Sequence, residues 1–225
     1  MQTKTIKEVY RKGSQVYENT MAKYWPAPRK EFITSLDFRE GDRVLDAAVG
    51  TGLDLPFFPR GLSVTGIDVT SKMLAEAREK VSPADVELRE MDIHLMDFLS
   101  DSFDGVVSTF TFCVIENPKK ALKEILRVTK AGSVIGILDY CKSRNPEVIK
   151  WQELISYHAG NIGFPRDVIV WNSLMDYDKL IYGSGLPLEV VIDQRIENEN
   201  PFLTACSIHL RNRKWKYQEY FQQEK

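Results

Sequence analysis

The sequence predicts an α/β fold: a doubly wound sheet of seven strands, mostly parallel, with an antiparallel strand supplied by a C-terminal hairpin. Two observations carry that expectation. Strand-length apolar stretches alternate with helical patterns over residues 43–155, and the last two strand-like stretches lie a hairpin's length apart. Strands separated by helices pair in parallel and need cover on both faces.

Arg43–Val49 (RVLDAAV) is continuous in small and β-branched residues rather than alternating, as befits a strand buried on both faces. Ser63–Val69 is the second strand. The helix after it takes Thr70 or Ser71 as N-cap and turns Met73, Leu74, Ala77 and Val81 inward. Val86–Met91 alternates like a less buried strand, and Phe103–Thr109 is the fourth. Asn117-Pro118 starts the next helix, with Asn as cap and Pro at the first helical position, where its missing N–H is no loss. Ala121, Leu122, Ile125, Leu126 and Val128 carry that helix to Ala131-Gly132, and Ser133–Tyr140 is the fifth strand. Asn145-Pro146 repeats the start signal and opens a helix through Trp151, Leu154 and Ile155. Leu188–Ile196 and Phe202–Leu210 close the sheet as a hairpin around residues 197–201. The chain, 1–225, reads as one domain. It comprises a helical cap (1–40), a ligand-binding core (41–140), an insertion or lid (141–187) with Gly-rich spots at 160–163 and 183–185, and a hairpin with a basic tail (188–225).

At 43% hydrophobic and 28% charged residues, the composition excludes a disordered or fibrous chain. No apolar run reaches the roughly 18 residues of a membrane span, and the first residues lack the apolar core of a secretory signal. Cys113, Cys141 and Cys206 are odd in number and have no CxxC spacing, so neither a disulfide framework nor a metal site is expected, and a reducing cytoplasm is the expected location. The net charge of −2 hides an asymmetry. Residues 1–30 hold seven Lys/Arg against two Glu, and residues 211–225 five against two, so the stretch between carries 18 basic and 28 acidic residues. In the C-terminal segment Trp215, Tyr217, Tyr220 and Phe221 interleave with Arg213, Lys214 and Lys216, a composition suited to loose contact with an anionic membrane surface at its inner face. Solvated ends of an ordinary domain fit as well. The acidic body weighs against nucleic acid.

The chemistry concentrates in Val44-Leu-Asp-Ala-Ala-Val-Gly-Thr-Gly-Leu53. A strand ends in Asp46 and enters a small-residue turn, Ala48-x-Gly50-x-Gly52; in a doubly wound sheet, ligands bind at such a turn. Asp68 closes the next strand 22 residues later, the spacing of a carboxylate that accepts both hydroxyls of a ribose. A dinucleotide fingerprint fails because its third glycine falls on Leu53 or Leu55, and no Gly-Lys-Ser/Thr phosphate loop is present. Asp46 at the loop repels a pyrophosphate and suits a cationic amine. A nucleoside joined to an amino acid, carrying ammonium and sulfonium charges and no phosphate, matches these features: S-adenosylmethionine.

On these residues the chain resembles the class I S-adenosylmethionine-dependent methyltransferases, over roughly residues 8–140. Asp46-x-Ala-x-Gly-x-Gly52 is similar to their glycine-rich motif, with Ala48 in place of its first glycine. The resemblance implies a Rossmann-like fold, Asp68 as the ribose-binding acid, and Met91-Asp92-Ile93 as the adenine motif. In that motif Asp92 accepts from the amino group while Met91 and Ile93 sandwich the ring. Phe103–Thr111 and Ala121–Ser133 are similar to the fourth-strand motif and the helix and turn after it. Val69, Met73 and Thr109, beside these motifs, complete the cofactor candidates. Gly50–Pro59 and Val64–Asp68 look most like bacterial phosphatidylethanolamine N-methyltransferases and their quinone C-methyltransferase relatives. Tyr10 and Tyr17, seven apart on an expected helix, match a Tyr pair that in that group closes over cofactor and substrate.

Methyl transfer is an in-line displacement at a sulfonium carbon, so holding nucleophile, methyl and sulfur collinear supplies most of the catalysis. An amine acceptor must also lose a proton. Tyr17, Tyr140 and His158 are the catalytic candidates, with Tyr10, Asp139 and Tyr157 as further groups for that proton. Three readings follow. The acceptor is an amine such as a phospholipid headgroup, or a soluble small molecule or quinone precursor methylated on O, C or S, or the chain binds the cofactor without catalysis.

Overall fold

The computed structural model describes residues 26–158, 175–196 and 204–214. One sheet contains β1 (Arg43–Ala47), β2 (Ser63–Asp68), β3 (Asp85–Glu90), β4 (Phe103–Thr109), β5 (Thr129–Tyr140), β6 (Leu188–Ile196) and β7 (Ala205–Asn212), in the order β3-β2-β1-β4-β5-β7-β6. β1 to β5 run parallel; β7 lies antiparallel between β5 and β6. The helices are α1 (Pro26–Thr34), α2 (Ser71–Ala77), α3 (Pro118–Val128), α4 (Pro146–His158) and α5 (Tyr177–Ile181). This is the seven-stranded, mostly parallel sheet with an antiparallel C-terminal strand that the apolar pattern implies.

Each element follows its sequence. Val44, Leu45, Asp46 and Ala47 of β1 are all buried, as an unbroken apolar run at the centre of a sheet requires, whereas the edge strand β3 stays half-exposed. Asn117 caps α3 by accepting from Lys120 N at 3.0 Å, with Pro118 at the first position, and its apolar stripe from Ala121 to Val128 is buried. Phe32 and Ile33 of α1 are buried, and the chain leaving that helix lies close on the sheet because β4 and β5 offer Gly105 and Gly136 there. A Cβ on Gly105 would strike the Phe38 ring, and one on Gly136 would come within 2.6 Å of Leu36 Cδ2. Beside the sheet's antiparallel end, Arg144 pairs with Asp178 of α5 (2.6 Å) and with Asp193 of β6.

The largest differences from the sequence reading are three boundaries and one helix face. β1 stops at Ala47, because Ala48 adopts φ +67° and leaves the extended conformation. α2 ends at Ala77; Glu79 and Lys80 tighten the last turn onto Glu76 O and Ala77 O ahead of Pro83, so Val81 stands 85% exposed rather than on the buried face. β5 starts at Thr129, straight from α3. Phe103 pairs with Thr129 but Gly105 with Val134, so Gly132 (φ +84°) builds a bulge inside the strand instead of ending the helix. On α4 Trp151 and Leu154 face solvent, and Gln152 is the buried anchor, accepting from Ser143 N and donating to Cys141 O. The Gly-rich spot at 160–163 and the connection at 197–203 lie outside the described residues, as do the aromatic residues of the tail from Trp215 onward.

Candidate active site

A cleft opens at the C-terminal ends of the parallel strands, where β1 and β4 neighbour each other while their following segments diverge toward β2 and β5. It encloses about 760 Å³ including its open mouth. The loop after β1 contributes Ala48 and Gly50, and the end of β2 contributes Ile67 through Thr70, with Met73 from α2. The turn after β3 contributes Met91 through His94, and Thr109 through Thr111 and Val114 through Glu116 come from β4 and its exit. Among the described residues the wall holds three carboxylates, Asp68, Asp92 and Glu116, and neither Lys nor Arg.

The loop's path is set by positive φ at positions 48, 50 and 52. Gly52 (φ +79°) has a second reason to be glycine: a Cβ there would lie 2.9 Å from Leu55 Cδ1 and 3.0 Å from Ala77, which α2 packs against the loop. Ala48 holds φ +67° with a methyl group, a left-handed conformation that is disfavoured for L-residues by roughly 1–2 kcal/mol. Ala48→Gly should therefore raise stability by about 0.5–1 kcal/mol, net of glycine's larger unfolded-state entropy, and move the urea midpoint upward. An unchanged or lower midpoint would show that the turn holds Ala48 without strain.

Asp68 is tied into the same loop. Its Oδ2 accepts from Gly50 N (3.2 Å) and its Oδ1 from Thr70 N (2.8 Å), so the carboxylate also takes the place of a side-chain cap at α2. Burial raises its pKa to about 6 against the pull of those two N–H donors. Asp46 lies beneath the loop, 1% exposed, with no hydrogen-bond partner on Oδ2. Burial pushes its carboxyl well above the usual carboxylate range; Asp54 adds to that and Arg29 opposes it. Asp92 Oδ1 accepts from His94 N at 2.8 Å and meets His94 Nδ1 at 2.7 Å.

Under the floor lies a buried polar cluster that sequence reasoning missed. Arg29 of α1 donates through Nη1 to Asp54 Oδ1 and to Thr109 Oγ1, each at 2.5 Å, and Thr109 Oγ1 donates to Asp54 Oδ2 at 2.6 Å. Arg29 and Asp54 are 3% and 2% exposed. The guanidinium also stacks 4.8 Å from the centroid of Phe110, which holds φ +51° at the end of β4. Arg29 lies outside the sequence motifs, and only its place beside Phe32 and Ile33 marks it as inward-facing. Asp54 falls within the motif stretch but carries no signal separating it from a surface acid.

The cleft thus brings together Ala48, Gly50, Asp68, Val69, Met73, Met91, Asp92, Ile93 and Thr109 of the cofactor candidates, with the Thr109 hydroxyl already engaged below. Asp46 and Gly52 lie under the loop rather than in the wall. Tyr140, expected at the site edge, is 2% exposed behind the wall, its ring 4.9 Å from that of Phe110. Asp139, expected beside it, is fully buried, and its carboxylate accepts from Cys113 N, Tyr140 N and Tyr177 Oη. A β-strand alternates its faces, but a strand end deep in a sheet buries both. Tyr10 and Tyr17 lie outside the described residues, as does the side chain of His158 on α4. His94, Phe110, Thr111 and Glu116 complete the wall without having been singled out in the sequence. Among the described residues, no group of three His, Cys, Asp or Glu is placed to hold a metal ion.

These residues fit S-adenosylmethionine. Asp46 Oδ2 is an unpartnered buried acceptor beneath the loop, and the cleft's charge is that of a site for a cation. Comparison with known proteins agrees. Residues 45–137 match the methyltransferase-domain family. The chain is 34% identical to a phosphatidylethanolamine N-methyltransferase of Cereibacter sphaeroides over 174 residues, 76% of this chain and 85% of that protein. It is 32% identical to a ubiquinone/menaquinone biosynthesis C-methyltransferase of Bdellovibrio bacteriovorus, over 68% of this chain and 65% of that one. Among solved structures, an S-adenosylmethionine-dependent methyltransferase of Thermotoga maritima shares the fold at a TM-score of 0.66 and 15% identity, covering 92% of this chain and 99% of that chain. A switch-point cleft with an acidic wall, an alternating-φ glycine loop over a buried carboxylate, and relatives that match it along most of its length lead to one conclusion: the chain belongs to the class I S-adenosylmethionine-dependent methyltransferases and is an enzyme that takes its methyl group from S-adenosylmethionine.

Proposed function

We propose that the acceptor is an amine carried on a phospholipid headgroup such as phosphatidylethanolamine. The observation that carries this reading is the wall of three carboxylates with neither Lys nor Arg among its described residues, which reaches the exit of β4 as Glu116. An ammonium arriving there is attracted, whereas an acceptor that turns an anionic end toward the wall is not. The extent of the match to the phosphatidylethanolamine N-methyltransferase, 85% of its length, supports the same reading. A second reading, C-methylation of a quinone precursor, is favoured by the apolar side of that exit, Phe110, Val114 and Ile115.

When bound, the cofactor supplies an electrophilic methyl on a sulfonium centre. In this reading Asp46 would hold the ammonium end, Asp68 the ribose hydroxyls, and Met91, Asp92 and Ile93 the adenine, with Thr111 and Glu116 on the remaining side of the cleft. Glu116 orients the incoming amine. With Tyr140 and Asp139 sealed behind the wall, Tyr17 and His158 are the candidates for taking the acceptor's proton. The basic segments 1–30 and 211–225 hold the enzyme reversibly against anionic lipid. No helix among the described residues is long and apolar enough to cross a membrane.

The test is transfer of tritiated methyl to vesicles of phosphatidylethanolamine and phosphatidylglycerol, against free phosphoethanolamine and a demethylated quinone in parallel reactions. Label in an N-methylated lipid is the expected result, and Glu116→Gln should raise the KM for that lipid about tenfold while leaving S-adenosylhomocysteine affinity within about twofold. Label in the quinone alone would replace this reading with the second.

A further inference from the structure

Glu124 and Arg127 of α3 stand outside the cleft, yet they hold the chain that forms one of its walls. Between β3 and β4, residues 91–102 contain neither helix nor sheet strand, and Met91 through His94 line the cleft. At the start of this stretch Met91 N donates to Asp68 O (2.9 Å), and Leu95 N closes a turn on Asp92 O (3.0 Å). Past that turn the hold passes to α3. Glu124 Oε2 accepts from Met96 N (3.0 Å), while Arg127 donates through Nη2 to Met96 O (2.8 Å) and through Nη1 to Phe98 O (2.6 Å). The two side chains are also joined as a fork, Nε to Oε1 at 2.9 Å and Nη2 to Oε2 at 2.8 Å. One closed pair thus grips both the N–H and the C=O of Met96, whose side chain is buried with that of Ile93. An ion pair whose side chains are 34% and 18% exposed adds little stability by itself, so the weight of this one lies in the backbone it fixes.

We propose that Glu124 and Arg127 are positioning residues for the base end of the cofactor: by fixing the backbone at Met96 and Phe98 they hold Met91, Asp92 and Ile93 in place before the adenine arrives. The inference rests on the reading of Met91, Asp92 and Ile93 as the adenine end. Both residues act through the loop and not on the cofactor itself. A loop that must be ordered on binding subtracts that cost from affinity, whereas a loop ordered beforehand does not. The cost falls only on a ligand that uses the loop, so loosening the clamp should penalise a ligand with a base and spare one without. The role also calls for arginine in particular. Its planar fork meets the Glu124 carboxylate and two carbonyls at once, which the single ammonium of lysine cannot do.

The test is calorimetry on the full-length protein with S-adenosylhomocysteine, and competition against it by S-ribosylhomocysteine, which keeps the amino acid and the ribose and lacks the base. Arg127→Met should weaken the adenosyl ligand about tenfold and leave the ribosyl ligand within about twofold. Arg127→Lys, which keeps the charge and loses the fork, should lose nearly as much. Equal loss for both ligands, or no loss for either, would overturn the inference by making the pair a structural brace. Should Arg127→Met fail to fold, Glu124→Gln carries the same comparison. It leaves a carbonyl acceptor for Met96 N but weakens the fork, and should cost the adenosyl ligand about threefold and the ribosyl ligand nothing, with equal loss or none again overturning the inference. Asp92→Ala separates this claim from the one beneath it. If that variant keeps the wild-type preference for the adenosyl ligand, the adenine lies elsewhere and both readings fall. If it lowers the preference while Arg127→Met leaves it unchanged, the clamp alone is overturned.

Discussion

Arg29→Ala should cost about 3–5 kcal/mol of folding free energy, the largest single effect expected in this protein away from the central core. The substitution leaves the Asp54 carboxylate 2% exposed, with Asp46 as its acidic neighbour and only the Thr109 hydroxyl for company. A buried charge stripped of its partner keeps its desolvation penalty and loses the attraction that offset it. The loss also frees Phe110 on one face and should loosen the floor of the cleft. Removing both charges is a different matter. In Arg29→Met with Asp54→Asn no ion is left stranded, so most of the stability should return even though an ion pair has been deleted. Urea unfolding of the two single variants and the double gives the cycle. A loss under about 1 kcal/mol in Arg29→Ala would mean that water or another cation reaches Asp54.

If Asp68 holds the ribose as proposed, Asp68→Ala should weaken S-adenosylhomocysteine binding by about 2–3 kcal/mol, or roughly 30- to 150-fold, because the ribose would lose a charged acceptor and Gly50 N–H and Thr70 N–H lose the carboxylate that holds the loop. Wild-type affinity carries a matching pH signature. With the Asp68 pKa raised to about 6, a site that needs the carboxylate should lose affinity about tenfold per pH unit below that value. The stability of the empty protein runs the other way. The folded state holds this proton more tightly than the unfolded chain does, so Asp68 contributes stability below an ordinary carboxylate pKa of 3.8 and withdraws it as the pH rises through about 6. Calorimetric titration of the folded variant, checked by circular dichroism, tests the first claim; unchanged affinity would reduce Asp68 to a helix cap.

The sheet was legible because its strands carry the burial pattern of their place. The run Val44–Ala47 is apolar without alternation at the centre of the sheet, and the alternating Asp85–Glu90 is at its edge. The cleft wall was legible for a related reason, since glycines and strand-end acids are constrained locally, by φ and by chain distance. What escaped are contacts made across the chain. Arg29 meets residues 25 and 80 positions away, and no local pattern tells a buried arginine from the surface lysine beside it. Tyr140 misled for the opposite reason. A strand-end position suggests access, but Phe110 turned back through φ +51° and covered it.

The place of β7 between β5 and β6 has a consequence for how the chain reaches this state. β5 pairs with β7 from Val134–Arg211 to Tyr140–Ala205, whereas the parallel strands β1 to β5 are all complete by residue 140. During synthesis the parallel core therefore emerges first with β5 as its open rim, a strand holding Ile135, Ile137 and Leu138. β6 leaves the ribosome next but cannot close that rim, because its partner is the strand that follows it. For some 70 residues of translation the nascent domain offers an unpaired apolar edge, the template on which one chain pairs with another. Sealing waits for β7, so the interval of greatest exposure to aggregation, and to chaperones that recognise such edges, lies between the emergence of β5 and that of β7.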